Sequence, residues 1–392
     1  DWAAGALLLI DLEAFLGGAR EFTCLFEPGP RKALENWIAL PHAVVLTVLE
    51  NVQTKLYLAE AAEHWANYKV PHLPAASTIS AAKLAPYDDE DETLLIGTGN
   101  FVTPYSYALL RLGSPPELLK QEPARFDAAG LTVAQYEATA EDGTAIPYYF
   151  VSPSDTPPAE GWPVQLYGYG GFEVSLLPHY LPVEGKLWLT RGGAYALANI
   201  RGGGEFGPGW HLAGTRAAKR VAQDDFAAVA RDIAARGLAK PARILGAGGS
   251  NGGLLVGNML TRHPEAFGAI VCTVPLLDMQ RYTKLFAGAS WIDEYGDPDK
   301  PEDWEFLQGF SPYQLARPGR NYPPALIMTT TRDDRVHPGH ARKMAAKLQA
   351  MGYDTLYFEQ TEGGHGAGAD STQRAEFIAL EYAFHRRTIG KA

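Results

Sequence analysis

Along the first third of the chain, short apolar runs alternate with turn residues. ALLLIDLEAF (6–15), AVVLTVLENV (43–52), KLYLAE (55–60) and TLLIGTGNFVTPYSYALLRLG (93–113) carry β-branched and aromatic residues at strand spacing. Residues 1 to about 125 are therefore predicted to form successive short antiparallel strands. The acidic run YDDEDE (87–92) reads as a solvated loop. From about residue 130 the rhythm becomes strand, then helix. PVQLYGYGG (163–171) and AYALANIRGGG (194–204) read as strands, followed by a helix at AQDDFAAVARDIAARGL (222–238). The strand RILGAGG (243–249), the helix LLVGNMLTRHPEAF (254–267) and the strand GAIVCTVPLLD (268–278) come next. After a long loop, PALIMTTTRDD (324–334), a helix over 338–351, DTLYFEQ (354–360) and a last helix over about 371–388 complete the chain. Strands that are apolar throughout, separated by amphipathic helices, predict a mostly parallel sheet covered on both faces. Sites in such sheets gather at the carboxyl ends of the strands.

With 392 residues there is room for two domains and a large core. A net charge of −11 with no basic cluster argues against a nucleic-acid surface, whose affinity comes largely from Lys and Arg neutralising phosphates. Cys24 and Cys272 are the only cysteines and lie far apart, so neither a disulfide framework nor a zinc site is expected. ALLLI (6–10) has no basic flank and is far too short to span a bilayer. The expectation is a soluble monomer without membrane partner, metal or cofactor, and both cytoplasm and periplasm fit.

The chemistry concentrates in RILGAGGSNGGLLVGNML (243–260), which sets Ser250 at a strand-to-helix junction inside a Gly-x-Ser-x-Gly frame, Gly248 to Gly252. Such a turn strains the serine backbone, and only small neighbours fit around it. A phosphate loop of the Walker type needs Lys after its last glycine, and Leu254 stands there instead. A second glycine run, GGGEFG (202–207), fits a dinucleotide fingerprint with Asp224 and Asp225 about 20 residues on. However, Pro208 and Gly209 interrupt the helix that would have to receive a pyrophosphate.

A serine needs a base to take its proton and an acid to orient that base, in chain order Ser, Asp or Glu, His for sheet hydrolases. RDDR (332–335) follows one predicted strand and GGHG (363–366) follows the next, so Asp333 or Asp334 and His365 stand at carboxyl ends in that order. Read alone, either aspartate could cap the helix near Pro338 and His365 could be a surface residue. Asp333 with His337 and His340 could also hold a metal, but no suitable third type of ligand is evident.

YGYGGF (167–172), NIRGGGEFGPGWH (199–211), GGSNGG (248–253), WIDEYG (291–296), RDDRV (332–336) and GGHG (363–366), in that order, resemble the catalytic domain of the prolyl oligopeptidase family. The resemblance covers roughly residues 130–392. It implies an α/β-hydrolase domain with Ser250 as nucleophile, His365 as general base and then acid, and Asp333 rather than Asp334 as its partner. It also implies an oxyanion hole made by the Asn251 backbone N–H and the Tyr169 hydroxyl. On this reading the side chain of Asn251 matters less than its position, and Gly252 and Gly253 let the following helix approach the sheet.

The same resemblance implies a pocket in which Trp291 stacks on a substrate proline, Phe172, Tyr295 and Val336 close around it, and Arg335 donates to a backbone carbonyl. Asp293 and Glu294 are expected on a solvated rim. Short proline-containing peptides are the implied substrates. A related peptidase of dipeptidyl or basic specificity, an esterase, and a non-catalytic propeller binding protein are the alternatives. The family's other domain is a seven-bladed β-propeller, so the expected fold class is an α/β hydrolase (126–392) preceded by part of an all-β propeller (1–125). With the remaining blades absent, either a second fragment completes the propeller or the chain is the C-terminal part of a longer protein; the latter is expected, because an incomplete propeller would expose strand edges.

Overall fold

In a computed structural model, described for residues 1–73 and 78–390, the chain divides into two compact units. One comprises Asp1–Ala128, Leu177–Pro182 and Gly204–Trp210; the other comprises Ala129–Leu176, Val183–Gly203 and His211–Ala392.

The first unit is all β apart from short turns of helix. Strands β1 (Leu7–Leu9) and β2 (Thr23–Phe26) form an antiparallel pair. β3 (Lys32–Ala39), β4 (Ala43–Glu50), β5 (Gln53–Glu60) and β6 (Asn67–Lys69) form a four-stranded antiparallel sheet in sequence order. A second such sheet contains β7 (Thr78–Lys83), β8 (Leu94–Gly99), β9 (Ser106–Leu110) and β10 (Glu117–Gln121). Side chains alternate across a strand, so β4 serves two cores: Val45 packs with Leu56, Leu58, Ile79, Leu94 and Ile96 between the two sheets. Val44, Leu46 and Val48 point the other way, onto Leu25 and Phe26. The stretch ALLLIDLEAF departs from its strand prediction after Leu9. Asp11 caps a helix over Leu12–Leu16 by accepting the Ala14 N–H at 2.8 Å, and a capping side chain outweighs strand propensity at a position with no core to face.

The second unit is built on an eight-stranded sheet of order β11-β12-β14-β13-β15-β16-β17-β18. Its strands are β11 (Thr132–Thr139), β12 (Ala145–Ser152), β13 (Val164–Tyr167), β14 (Ala194–Ala198), β15 (Ile244–Gly249), β16 (Ala269–Thr273), β17 (Ala325–Thr330) and β18 (Thr355–Gln360). β11 and β12 are antiparallel, and the six strands from β14 to β18 run parallel. Leu245 and Ala247, Ala269 and Val271, and Leu326 and Met328 line up across β15, β16 and β17. They bury against Phe377, Tyr382 and Phe384 of the last helix, Ser371–Thr388. Chain order reverses at β13, which lies between β14 and β15, and such a switch point opens a crevice at the carboxyl ends of its strands. Among the described residues no helix is long and apolar enough to cross a membrane.

One buried residue of this unit makes stability depend on pH. His340 is 1% exposed, and its Nδ1 accepts the N–H groups of Leu277 at 3.2 Å and Asp278 at 3.0 Å. Burial lowers the imidazole to about 4; of the charges facing it, Asp278 and Asp333 oppose this and Lys343 and His337 reinforce it. The unfolded chain takes up a proton near pH 6.5, which the folded chain resists until about pH 4. The stability contributed by neutral His340 is therefore complete above about pH 6.5 and is lost as pH falls, by on the order of 3 kcal/mol. Thermal midpoints measured from pH 7.5 to 4.5 should fall, and His340→Asn, whose amide oxygen can accept the same two N–H groups, should flatten the curve. Parallel curves for the two proteins would exclude His340 as the source.

Candidate active site

Ser250 sits where β15 ends and the helix Asn251–Arg262 begins, with φ 58 and ψ −117. A residue with a Cβ held there is strained, and the surroundings must hold it. They do so through glycines: a Cβ on Gly248 would lie 2.3 Å from the Gly252 carbonyl oxygen, and one on Gly253 would lie 2.5 Å from Cβ of Pro275. The Ser250 N–H donates to the Thr273 carbonyl at 2.9 Å, which ties the turn to the neighbouring strand. The missing side chain at Gly252, whose Cβ would lie 2.8 Å from the Gly168 carbonyl oxygen, lets the helix start lie close to the end of β13.

At the carboxyl end of β17, Asp333 is 1% exposed. One of its oxygens accepts the backbone N–H groups of Arg335 at 3.0 Å and Val336 at 2.9 Å; the other accepts Nδ1–H of His365 at 2.7 Å. Asp334 is exposed, so the structure brings Asp333 and not Asp334 to the histidine. His365 follows β18 in a loop fixed by the Thr330 hydroxyl, which donates to the Gly364 carbonyl at 3.0 Å.

Tyr169 follows β13. Burial raises its phenol above the ordinary range, while the charge of Arg335 and a hydrogen bond with Ser250 work against the rise. The hydroxyl therefore stays protonated beside the serine, able to donate. Phe172 and Trp291 are half-buried against a cluster that contains Leu254, Met279, Tyr295, Phe310 and Val336. Phe172 meets Tyr295 edge to face, with ring centroids 5.6 Å apart.

The structure corrects two expectations here. Tyr295 and Val336 are 0% and 2% exposed and pack in the same cluster as Phe172 and Trp291. The Tyr295 hydroxyl is committed to Asn251 Oδ1 at 2.8 Å. The Asn251 side chain is not secondary either: its Nδ2 donates to the Tyr169 carbonyl at 2.6 Å, so it bridges the tyrosine loop and the aromatic cluster. Glu294, expected on a rim, is 5% exposed and pairs with Lys219 at 2.6 Å. Burial alone would raise its carboxyl, but the Lys219 charge and hydrogen bonds from Lys219, His211 and the Phe172 N–H hold it below the ordinary range. Asp293 is exposed.

Sequence reasoning missed Lys219 altogether. It is the first residue of the helix Lys219–Ala235, is 2% exposed, and its Nζ also donates to the Gly170 carbonyl at 3.0 Å. Downstream of the rival glycine run, Asp225 is fully buried and grips Arg201 through both oxygens, at 2.6 and 2.9 Å. Asp224 is engaged by Arg262 and His263. Asp225 is therefore not available to a ribose, and one oxygen of Asp224 is already taken.

A mixed sheet with parallel strands around a switch point, and a strained serine on the strand-to-helix turn beside that point, define an α/β hydrolase. Residues 180–392 match the model of the prolyl oligopeptidase family, and the chain belongs to that family of serine peptidases. A peptidase of Sinorhizobium fredii described as uncharacterized, y4nA, is 42% identical over 384 residues, 97% of this chain and 52% of its own length. The prolyl endopeptidase of Elizabethkingia miricola is 36% identical over 279 residues, 70% of this chain and 39% of its own. A solved structure of a post-proline cleaving enzyme from Rickettsia typhi superposes with a TM-score of 0.90 at 30% identity, covering 99% of this chain and 56% of that one. The chain thus spans about half the length of these full-chain matches.

Proposed function

We propose that the protein is a serine oligopeptidase that cleaves short peptides on the carboxyl side of proline through an acyl-enzyme. The observation that carries this is the 2.7 Å contact between His365 and buried Asp333, at strand ends of the same sheet that presents the strained Ser250. In this mechanism His365 takes the Ser250 proton as the serine attacks the carbonyl. Asp333 steadies the imidazolium, and His365 returns the proton to the leaving amine. The Tyr169 hydroxyl and the Asn251 backbone N–H receive the charge that develops on the oxygen. Water then attacks the acyl-enzyme by the same route. Residues 126–392 form the catalytic domain, and the two four-stranded antiparallel sheets within residues 1–125 are blades of a β-propeller.

Proline selection rests on Trp291 and Phe172, whose partly open rings suit the flat apolar face of a pyrrolidine. Arg335, exposed and with its charge felt at the Tyr169 phenol, would donate to the preceding carbonyl. The relatives named for prolyl cleavage support this choice. Glu294 does not favour a basic substrate, because Lys219 already neutralises it. In the full-length protein, a blocked Gly-Pro amide should be hydrolysed far faster than its Ala and Arg counterparts. Trp291→Ala should lower kcat/KM for the proline reporter by about 100-fold, the scale of a lost aromatic anchor, and should cost a small acyl ester less than about tenfold. Equal turnover of the three amides would end the proline assignment.

A further inference from the structure

The loop that carries Tyr169 and Phe172 runs through left-handed backbone at Gly170 (φ 64), Phe172 (φ 57) and Glu173 (φ 56). Two of these residues carry a Cβ, so the loop does not hold this path by its own preference. Three of its successive peptide groups are gripped from outside. The Tyr169 carbonyl accepts from Asn251 Nδ2 at 2.6 Å. The Gly170 carbonyl accepts from Lys219 Nζ at 3.0 Å, and the Phe172 N–H donates to Glu294. The grips are joined to one another, because Lys219 pairs with Glu294 at 2.6 Å and Tyr295, the residue after Glu294, donates to Asn251 Oδ1 at 2.8 Å. There is no slack between them: a Cβ on Gly171 would lie 2.8 Å from Lys219 Nζ and 2.6 Å from Asn251 Nδ2.

We propose that the buried Lys219–Glu294 pair is a positioning device for catalysis: it fixes the backbone of residues 170–172 so that the Tyr169 hydroxyl meets the developing oxyanion. Neither side chain touches substrate. Their effect passes through Tyr169, and so the proposal rests on the oxyanion role given to that residue above. A buried ion pair is a poor source of net stability, since desolvation offsets most of its attraction. Its worth here lies in direction. The ammonium must satisfy both a carboxylate and a carbonyl, and the carboxylate must satisfy an ammonium, His211 Nε2 at 2.8 Å and a peptide N–H. A charge held by several donors or acceptors at once has one position that suits them all.

The test is a double-mutant cycle in the full-length protein on the blocked Gly-Pro amide. Lys219→Met should lower kcat by about 100-fold with KM changed less than about threefold, because the interaction lost is one realised in the transition state. In a Tyr169→Phe background the same substitution should cost less than about threefold more, since residues acting through one another are not additive. Adding Glu294→Gln to Lys219→Met removes the stranded carboxylate and should recover about tenfold. If Lys219→Met does not fold, Glu294→Gln alone keeps the volume but gives up the charge and one of the two acceptor oxygens, and should lower kcat about tenfold in the Tyr169 protein and not in Tyr169→Phe. Losses that add fully in the two backgrounds, or an unchanged kcat, would overturn the device while leaving the serine mechanism intact. A silent Tyr169→Phe would remove both the oxyanion role and the device, whereas activity surviving Ser250→Ala would strike at the serine mechanism itself.

Discussion

Ser250→Ala should reduce kcat on the blocked Gly-Pro amide by on the order of 10⁵-fold, with KM nearly unchanged. Losing the nucleophile of a serine triad typically costs between about 10⁴ and 10⁶, and what remains comes from binding and oxyanion stabilisation. The variant keeps a Cβ at φ 58, so the turn stays equally strained and the glycines around it stay equally crowded. The loss will therefore report chemistry and not rearrangement. A serine-directed phosphonate should label the parent protein at Ser250 and leave the variant unlabelled. Turnover preserved in the variant, or label found on another residue, would rule out Ser250 as the nucleophile.

What could be read from the sequence was local. The serine turn, the RDDR segment and the GGHG segment each combine a strand end with glycines or charges within a few residues, and the signal lies inside the segment that forms the feature. Five of the six parallel strands were legible for the same reason, since burial on both faces leaves an unbroken apolar run, whereas β18 at the sheet edge is only partly buried. Strands such as β3, KALENWIA, and β10, ELLKQ, face solvent for much of their length and carry no comparable run.

The clamp on the tyrosine loop was illegible because its parts are far apart in the chain. Lys219 lies in TRAAKR (215–220), where neighbouring arginines suggest a solvated face, and its partner comes 75 positions later. Glu294 reads as a rim carboxylate because it and Asp293 are set between Trp291 and Tyr295 in WIDEYG (291–296). The helical turn Ile292–Tyr295 points the two in different directions, leaving Asp293 outside and carrying Glu294 and Tyr295 inward. The role of the Asn251 side chain was hidden behind the more conspicuous role of its backbone. In each case burial of a polar group had to be matched by partners from elsewhere, and only the folded chain says which.

Asp333→Asn should lower kcat by about 10⁴-fold, whereas Asp334→Asn should change it less than about threefold. The difference follows from how the oxygens of Asp333 are used. One is held by the two backbone N–H groups of Arg335 and Val336, and the other faces His365 Nδ1. An asparagine has a single acceptor oxygen, and two backbone donors require it, so the amide NH₂ is left pointing at the imidazole. The ring must then accept at Nδ1 and carry its proton on Nε2, the nitrogen that should be free to take the serine proton. A wrong tautomer of this kind costs about four orders of magnitude in a comparable triad with the geometry otherwise intact. Asp334 is exposed, and the Nδ1 of His365 is already engaged by Asp333. Kinetics of the two variants side by side decide the matter: equal losses, or a larger loss at Asp334, would mean that the carboxylate orienting His365 during turnover is not the one that holds it at rest.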